Sequence, residues 1–73
     1  KMLTKEEKIQ IIESHKRNLD YTRYNLEVSL LEENARTKVN QVVVDTLQDQ
    51  INEIDSQKAT LDAEIVSVSS ATE

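Results

Sequence analysis

Few side chains in this chain have the chemistry of a catalytic or metal-binding group, because cysteine is absent and His15 is the single histidine. Nucleophilic catalysis needs a serine or cysteine held close to a histidine that an acid orients. Ser14 and Lys16 flank His15, but neighbouring residues of a helix point in different directions, so they form no triad. We therefore predict a non-enzymatic protein without catalytic, metal-binding or cofactor-binding residues, in which His15 is a solvated helix residue.

The paired carboxylates Glu6 with Glu7 and Glu32 with Glu33 are the other candidates for chemistry. Glycoside hydrolysis needs two acids held at a set separation across a cleft, which a small helical protein lacks. We interpret these pairs as solvated faces, and Glu6 and Glu7 also favour the positive end of a helix dipole. The absence of glycine excludes a phosphate-binding loop.

The net charge of −5 argues against nucleic acid and anionic membranes as partners, since affinity for phosphates comes largely from clustered Lys and Arg. The longest uninterrupted apolar run is Val42 to Val44, whereas a membrane-spanning helix needs about 20 apolar residues. We therefore expect a soluble protein that binds neither nucleic acid nor membrane.

Periodic apolar residues predict long helices, which neither glycine nor proline interrupts. Thr4 and Glu7 have the spacing of a capping box, which predicts that the first helix starts at Thr4. Apolar residues then recur at the heptad spacing of a coiled coil, on a stripe that we call the seam. The seam comprises Ile9, Ile12, Leu19, Leu26, Leu30, Val44, Leu47, Ile51, Ile54, Leu61, Ile65 and Val68.

Two all-α architectures fit the seam. Its register is unbroken from Leu30 to Val44, so a single long coiled-coil helix of about 110 Å is one alternative. We favour an antiparallel, coiled-coil-like helical hairpin, because the seam turns polar at Glu33, Thr37 and Asn40 and residues suited to capping cluster there. The predicted single domain spans 1–73, with helix 1 over about 4–34, a loop over about 35–40, helix 2 over about 41–68 and a frayed tail over 69–73.

The predicted loop carries residues that suit the ends of helices. Asn34 is expected to close helix 1, because asparagine tolerates the left-handed conformation that ends many helices. Either Thr37 or Asn40 is suited to be the N-cap of helix 2.

Folding the chain about this loop pairs seam residues whose numbers total 77, such as Leu26 with Ile51. The three central layers of the seam each contain one base, and each base has an acid four residues later on its own helix. These predicted pairs are Lys16 with Asp20, Arg23 with Glu27 and Lys58 with Asp62. We expect the bases to lay their stems over the seam and extend their heads towards a flanking row of acids, the acidic edge. The acidic edge comprises Glu13, Asp20, Glu27, Asp55 and Asp62.

A second apolar stripe on helix 1, which we call the tyrosine face, lies opposite the seam. It comprises Tyr21, Tyr24, Val28, Leu31 and Ala35. A chain of 73 residues without cysteine buries only about 60% of its unfolded surface, which leaves self-association as the means of further burial. We therefore predict that the tyrosine face is an interface and that a twofold dimer of hairpins forms a four-helix bundle. Further apolar residues lie off the seam on helix 2, at Val42, Val43, Ala59, Ala63 and Val66.

Three runs of the sequence also carry a resemblance; they are EEKIQ at 6–10, YNLEVSLLEEN at 24–34 and DTLQDQINEIDSQKATLDAEI at 45–65. They resemble small uncharacterised hairpin proteins encoded by tailed phages of marine bacteria. The resemblance implies a role in a virion or in host interaction, and a location in the host cytoplasm or the virion. We predict a structural or protein-interaction module that self-associates through apolar helix faces. The alternative is a small acidic regulator that binds a host or phage protein with a helix in a groove.

Overall fold

The computed structural model describes residues 2–71 and contains two helices, α1 over Lys5–Asn34 and α2 over Gln41–Ser70. The helices pack side by side in opposite directions, so the chain is an antiparallel helical hairpin that measures 57 × 15 × 15 Å. A single straight helix over the same residues would be about 100 Å long, so the chain in this structure is a hairpin and not the long-helix alternative. Neither of the two described helices is long and apolar enough to cross a membrane.

The start of α1 is a capping box. The Thr4 hydroxyl accepts a hydrogen bond from the Glu7 backbone N–H at 3.1 Å, and the Glu7 carboxylate accepts one from the Thr4 backbone N–H at 2.8 Å. Thr4 is the N-cap, with an extended backbone, so the helix itself starts at Lys5. The two bonds satisfy amides that the start of a helix leaves without partners.

The end of α1 lacks the left-handed residue that we expected at Asn34. Asn34 is the last helical residue, and the C-cap is Ala35, whose backbone stays right-handed at φ −86° and ψ −5°. No described residue has a positive φ. The Ala35 backbone N–H donates to the Glu32 carbonyl at 3.2 Å, and the Arg36 N–H donates to the Glu33 carbonyl at 3.2 Å. With the bond from the Ala35 N–H to the Leu31 carbonyl at 3.1 Å, these bonds satisfy the carbonyls of Leu31, Glu32 and Glu33 without a left-handed residue.

The start of α2 is fixed by an asparagine. The Asn40 side chain accepts a hydrogen bond from the Val42 backbone N–H at 3.0 Å. Asn40 is therefore the N-cap, with an extended backbone at φ −95° and ψ 106°, and the other candidate, Thr37, lies within the connection.

The end of α2 comes two residues later than the predicted end at Val68. The expectation of a tail that frays from residue 69 is therefore wrong for Ser69 and Ser70, which are helical. The Lys5 ammonium donates to the Ser69 carbonyl at 3.2 Å, and the Ser70 hydroxyl donates to the Val66 carbonyl at 2.9 Å. These contacts stabilise the last turn, while the final two residues of the predicted tail lie outside the described residues.

The seam lies along the contact between the helices, and its burial is modest. Ile51 and Ile54 are the buried apolar residues of 2–71, with 4% and 6% of their surfaces exposed. The other ten residues of the seam are half-buried, because a single partner helix covers a side chain from few directions. The hairpin is thus held together by little enclosed apolar surface, as expected for a chain of this length.

Candidate interaction surface

The tyrosine face lies on the exposed side of α1. Tyr21, Tyr24 and Leu31 expose 61%, 67% and 69% of their surfaces. Val28, at the middle of the face, is half-buried, and Ala35 is exposed in the connection just beyond the helix end. Four of the five predicted interface residues therefore lie on α1, and Ala35 follows one turn after Leu31.

Arg17 extends the tyrosine face towards the start of α1. The centre of its guanidinium lies 5.5 Å from the centre of the Tyr21 ring, which is within the range of cation–π attraction. The same guanidinium donates a long hydrogen bond of 3.4 Å to the Tyr21 hydroxyl. Together with Asp20 and Tyr24, these two residues line an open hollow of about 330 Å³. The face thus combines exposed apolar and aromatic surface with a polar margin, the composition found in many protein interfaces.

α2 exposes apolar residues of its own. They lie at Val42 and Val43 near one end of the helix and at Ala59, Ala63 and Val66 near the other. None of these side chains is as large as the exposed Tyr21, Tyr24 and Leu31 of the tyrosine face, and they form two separate groups. The tyrosine face therefore carries the largest exposed side chains of the two candidate interfaces.

Three bases on the seam form ion pairs across the hairpin with the acidic edge, and we call this set the ladder. Its pairs are Lys16 with Asp62 at 2.5 Å, Lys58 with Asp20 at 2.5 Å and Arg23 with Asp55 at 2.7 Å. The predicted pairing of Lys16 with Asp20 and of Lys58 with Asp62 within one helix is therefore wrong. A base on the seam lies between the helices, so the acid on the opposite helix is within reach of its head.

Arg23 makes the most extensive contacts of the ladder. Its guanidinium donates two hydrogen bonds to Asp55, at 2.7 and 3.2 Å, and also contacts Glu27 on its own helix, as the sequence predicted. This bidentate contact lowers the pKa of the Asp55 carboxyl. In the same way, the hydrogen bond from Lys16 to Asp62 raises the pKa of the Lys16 ammonium.

The ladder also defines how the helices are aligned. In each of its three pairs the residue numbers total 78. Residues that face each other in the seam have numbers that total 77. Each base contacts the acid that directly follows the seam residue opposite it, so the ion pairs total one more. The ion pairs therefore agree with the register that the heptads predict.

Glu33 closes the connection, a role that its sequence position did not reveal. The residue is only 8% exposed, and its carboxylate accepts hydrogen bonds from the Asn40 backbone N–H at 2.9 Å and from the Arg36 guanidinium at 3.1 Å. The Asn40 N–H, followed by Arg36, lowers the pKa of the Glu33 carboxyl. We call these contacts the clamp. Two features of the sequence could have indicated this role of Glu33. It occupies a seam position, which we interpreted only as a polar break, and a base, Arg36, follows three residues later.

His15 lines an open groove between the helices, together with Leu19 and Leu61. The groove has a volume of about 430 Å³, and its other lining residues, Asn18, Gln57 and Thr60, are uncharged. A lining of this kind offers packing and weak hydrogen bonds rather than an acid to orient the imidazole. Within residues 2–71, no group of three or more His, Asp or Glu side chains is placed to hold a metal ion.

Comparison with protein-family models, with curated proteins and with solved structures gives no match for this chain. The fold itself defines the class of protein: a two-helix hairpin with a charged ladder on one flank and a large apolar face left uncovered on α1. Function is therefore inferred from that face.

Proposed function

We propose that this chain is a structural or interaction module that acts by pairing with a second copy of itself through the tyrosine face. The observation that carries this proposal is the exposure of Tyr21, Tyr24 and Leu31, each of which leaves more than 60% of its surface in water. Burial of apolar surface contributes about 25 cal/mol per Å². Continuous apolar patches on small proteins commonly mark interfaces.

The tyrosine face is complementary to itself. Val28 lies at its midpoint, and Tyr21 and Ala35 lie seven residues before and after it. Two α1 helices that run antiparallel through a twofold axis at Val28 would therefore set each Tyr21 against an Ala35, a large side chain against a small one. Tyr24 of one copy would lie beside Leu31 of the other, one residue from exact register. In a twofold interface each such contact occurs twice, once on each side of the axis, so the same face must be complementary to itself.

The charge distribution of the hairpin is compatible with this pairing. Each copy carries a net charge of −5, so two copies repel unless their acids are kept apart. The five residues of the tyrosine face are uncharged, and the nearest base, Arg17, stands at one end. Pairing through this face places the two α1 helices at the centre of a four-helix assembly, with the α2 helices outside.

The test is the mass of the protein in solution, measured by light scattering after size exclusion across a dilution series. The wild-type chain is expected to be a dimer. Leu31→Glu places a charge in the face and is expected to give a monomer, because an unpaired charge cannot be buried at the contact. Ser29→Glu adds the same charge at an exposed position of α1 outside the face and is expected to remain a dimer.

A wild-type chain that is monomeric throughout the series would overturn the proposal. The alternative, a small acidic regulator that inserts a helix into the groove of another protein, would then account for the exposed tyrosines. Dissociation by Leu31→Glu and Ser29→Glu alike would also overturn it, since the added charge and not the face would then control the mass.

A further inference from the structure

The seam continues in phase through the connection between the helices. Leu30 and Val44 are 14 residues apart, which is two whole heptads. If the connection became helical, the seam would run as one stripe along a single helix from Lys5 to Ser70. A hairpin turn does not require such continuity, because the two helices meet through space and not through the chain.

The connection contains no residue type that is confined to a non-helical backbone. It has neither glycine nor proline, and no described residue has a positive φ. Its first residue, Ala35, already has a right-handed backbone at φ −86° and ψ −5°. Straightening residues 35–40 therefore requires only rotation within conformations that ordinary residues adopt readily.

The contacts between the helices can be transferred to a second molecule. The two residue numbers of each ion pair in the ladder total 78, which is twice 39. If two straightened chains lie antiparallel about a twofold axis near Val39, each residue therefore faces, on the other chain, the residue that it contacts within the hairpin. Each contact would then be made twice, once on each side of the axis. The straight form loses none of the seam or of the ladder.

The clamp, by contrast, exists only in the hairpin. The Glu33 carboxylate reaches the Asn40 backbone N–H at 2.9 Å because the chain turns back between them. In a straight helix these two residues are seven positions apart, about 10 Å along the axis. The Asn40 N–H would instead bond to the carbonyl of Arg36, so straightening the chain breaks the clamp.

The geometry points to a hairpin that is the closed form of a chain able to exchange helices with a second copy of itself. Residues 35–40 are the hinge and Glu33 is the latch. The open form is a straight, antiparallel, two-stranded coiled coil about 100 Å long. Exchange of this kind converts existing contacts within a chain into contacts between chains at low cost. It does not depend on the tyrosine face, which lies on the outer side of α1 in either form.

The test replaces the latch and measures a distance within one chain. Glu33→Leu removes the clamp, while its Leu side chain can pack on Val44 in either form, on the same chain when closed and on the second copy when open. Glu32→Leu is the matched control, since it removes the same charge from the neighbouring, exposed position. The chain has no cysteine, so Thr22→Cys with Gln57→Cys provides two exposed sites for spin labels.

Labelled chains are diluted into an excess of unlabelled chains, so that only distances within one chain are observed. The two labels lie across the hairpin and give a short distance in the closed form, whether or not hairpins pair through the tyrosine face. In the open form they are 35 positions apart on one helix, about 52 Å. We expect Glu33→Leu to shift the distance to this longer value, and Glu32→Leu to keep the short one.

Helical content, measured by circular dichroism on the same samples, separates opening from unfolding. Glu33→Leu should gain helix as the connection becomes helical. A short distance in Glu33→Leu, or a long one accompanied by loss of helix, would overturn the exchange. Because the distance is read within one chain, a dimer mass together with a short distance would refute the exchange and leave the tyrosine-face dimer standing.

Discussion

The replacement of Ile51 by alanine tests whether so small a core holds the hairpin together. Ile51 is 4% exposed, the lowest exposure among the apolar side chains of residues 2–71. Ile→Ala in a core costs about 2–5 kcal/mol. Because the half-buried residues around this open seam can partly close over the gap, we expect a loss in the lower part of that range, about 2–3 kcal/mol. At about 0.05–0.15 kcal/mol per residue, the whole chain has roughly 4–11 kcal/mol of stability to lose.

The assay is thermal unfolding followed by circular dichroism, at one fixed chain concentration because association also stabilises the folded form. For a chain of this size, the expected loss corresponds to a fall in Tm of about 8–24 °C. Val66→Ala is the matched control, since Val66 is exposed and its replacement removes apolar volume from the surface of the protein. If Ile51→Ala lowers the Tm no further than this control does, the buried part of the seam does not hold the hairpin together.

Two further predictions concern the charged residues. Arg23→Glu should lower the Tm well below that of Arg17→Glu, because it places a carboxylate on the seam next to those of Asp55 and Glu27. Equal melting temperatures of the two variants would contradict the ladder. The second follows from the lowered pKa values of the Glu33 and Asp55 carboxyls, whose ordinary values are 4.5 and 3.8. A lowered folded pKa gives stability that is present above the ordinary pKa and is lost as the pH falls through the folded one. Between about pH 5 and pH 3, the wild-type Tm should therefore fall by more than that of Asp55→Asn, and parallel curves would contradict this.

The heptad pattern predicted which side of each helix is buried, because apolar spacing determines that side. The hairpin itself was predicted from the polar break in the seam at Glu33, Thr37 and Asn40. The heptad pattern could not predict which acid each base would contact. Lys16 has Asp20 one turn away on its own helix and Asp62 across the seam, and both lie at the same heptad position. The choice depends on the direction of a long, flexible side chain, which spacing does not define.

The clamp was missed for a related reason. A glutamate on the seam breaks the apolar pattern, and the pattern alone gives no reason to bury it. Glu33 is buried because the turn brings a backbone N–H and Arg36 to its carboxylate, and burial of a charge is tolerated when such partners are present. The end of α2 at Ser70 could not be predicted from spacing either, because its last turn is anchored by a contact from the distant Lys5.

The total of 78 shared by the ion pairs has a consequence for sliding of the two helices. Apolar residues that repeat every seven positions would pack almost as well after a shift of one heptad. A shift in one direction would set Arg23 opposite Gln48, and a shift in the other would set Lys16 opposite Ser69, while the remaining bases would find new acids. Only the observed frame gives all three bases a carboxylate. Gln48 and Ser69, one heptad before Asp55 and one heptad after Asp62, thus disfavour a shift in either direction. The polar layers that weaken the seam therefore also prevent the helices from slipping along it.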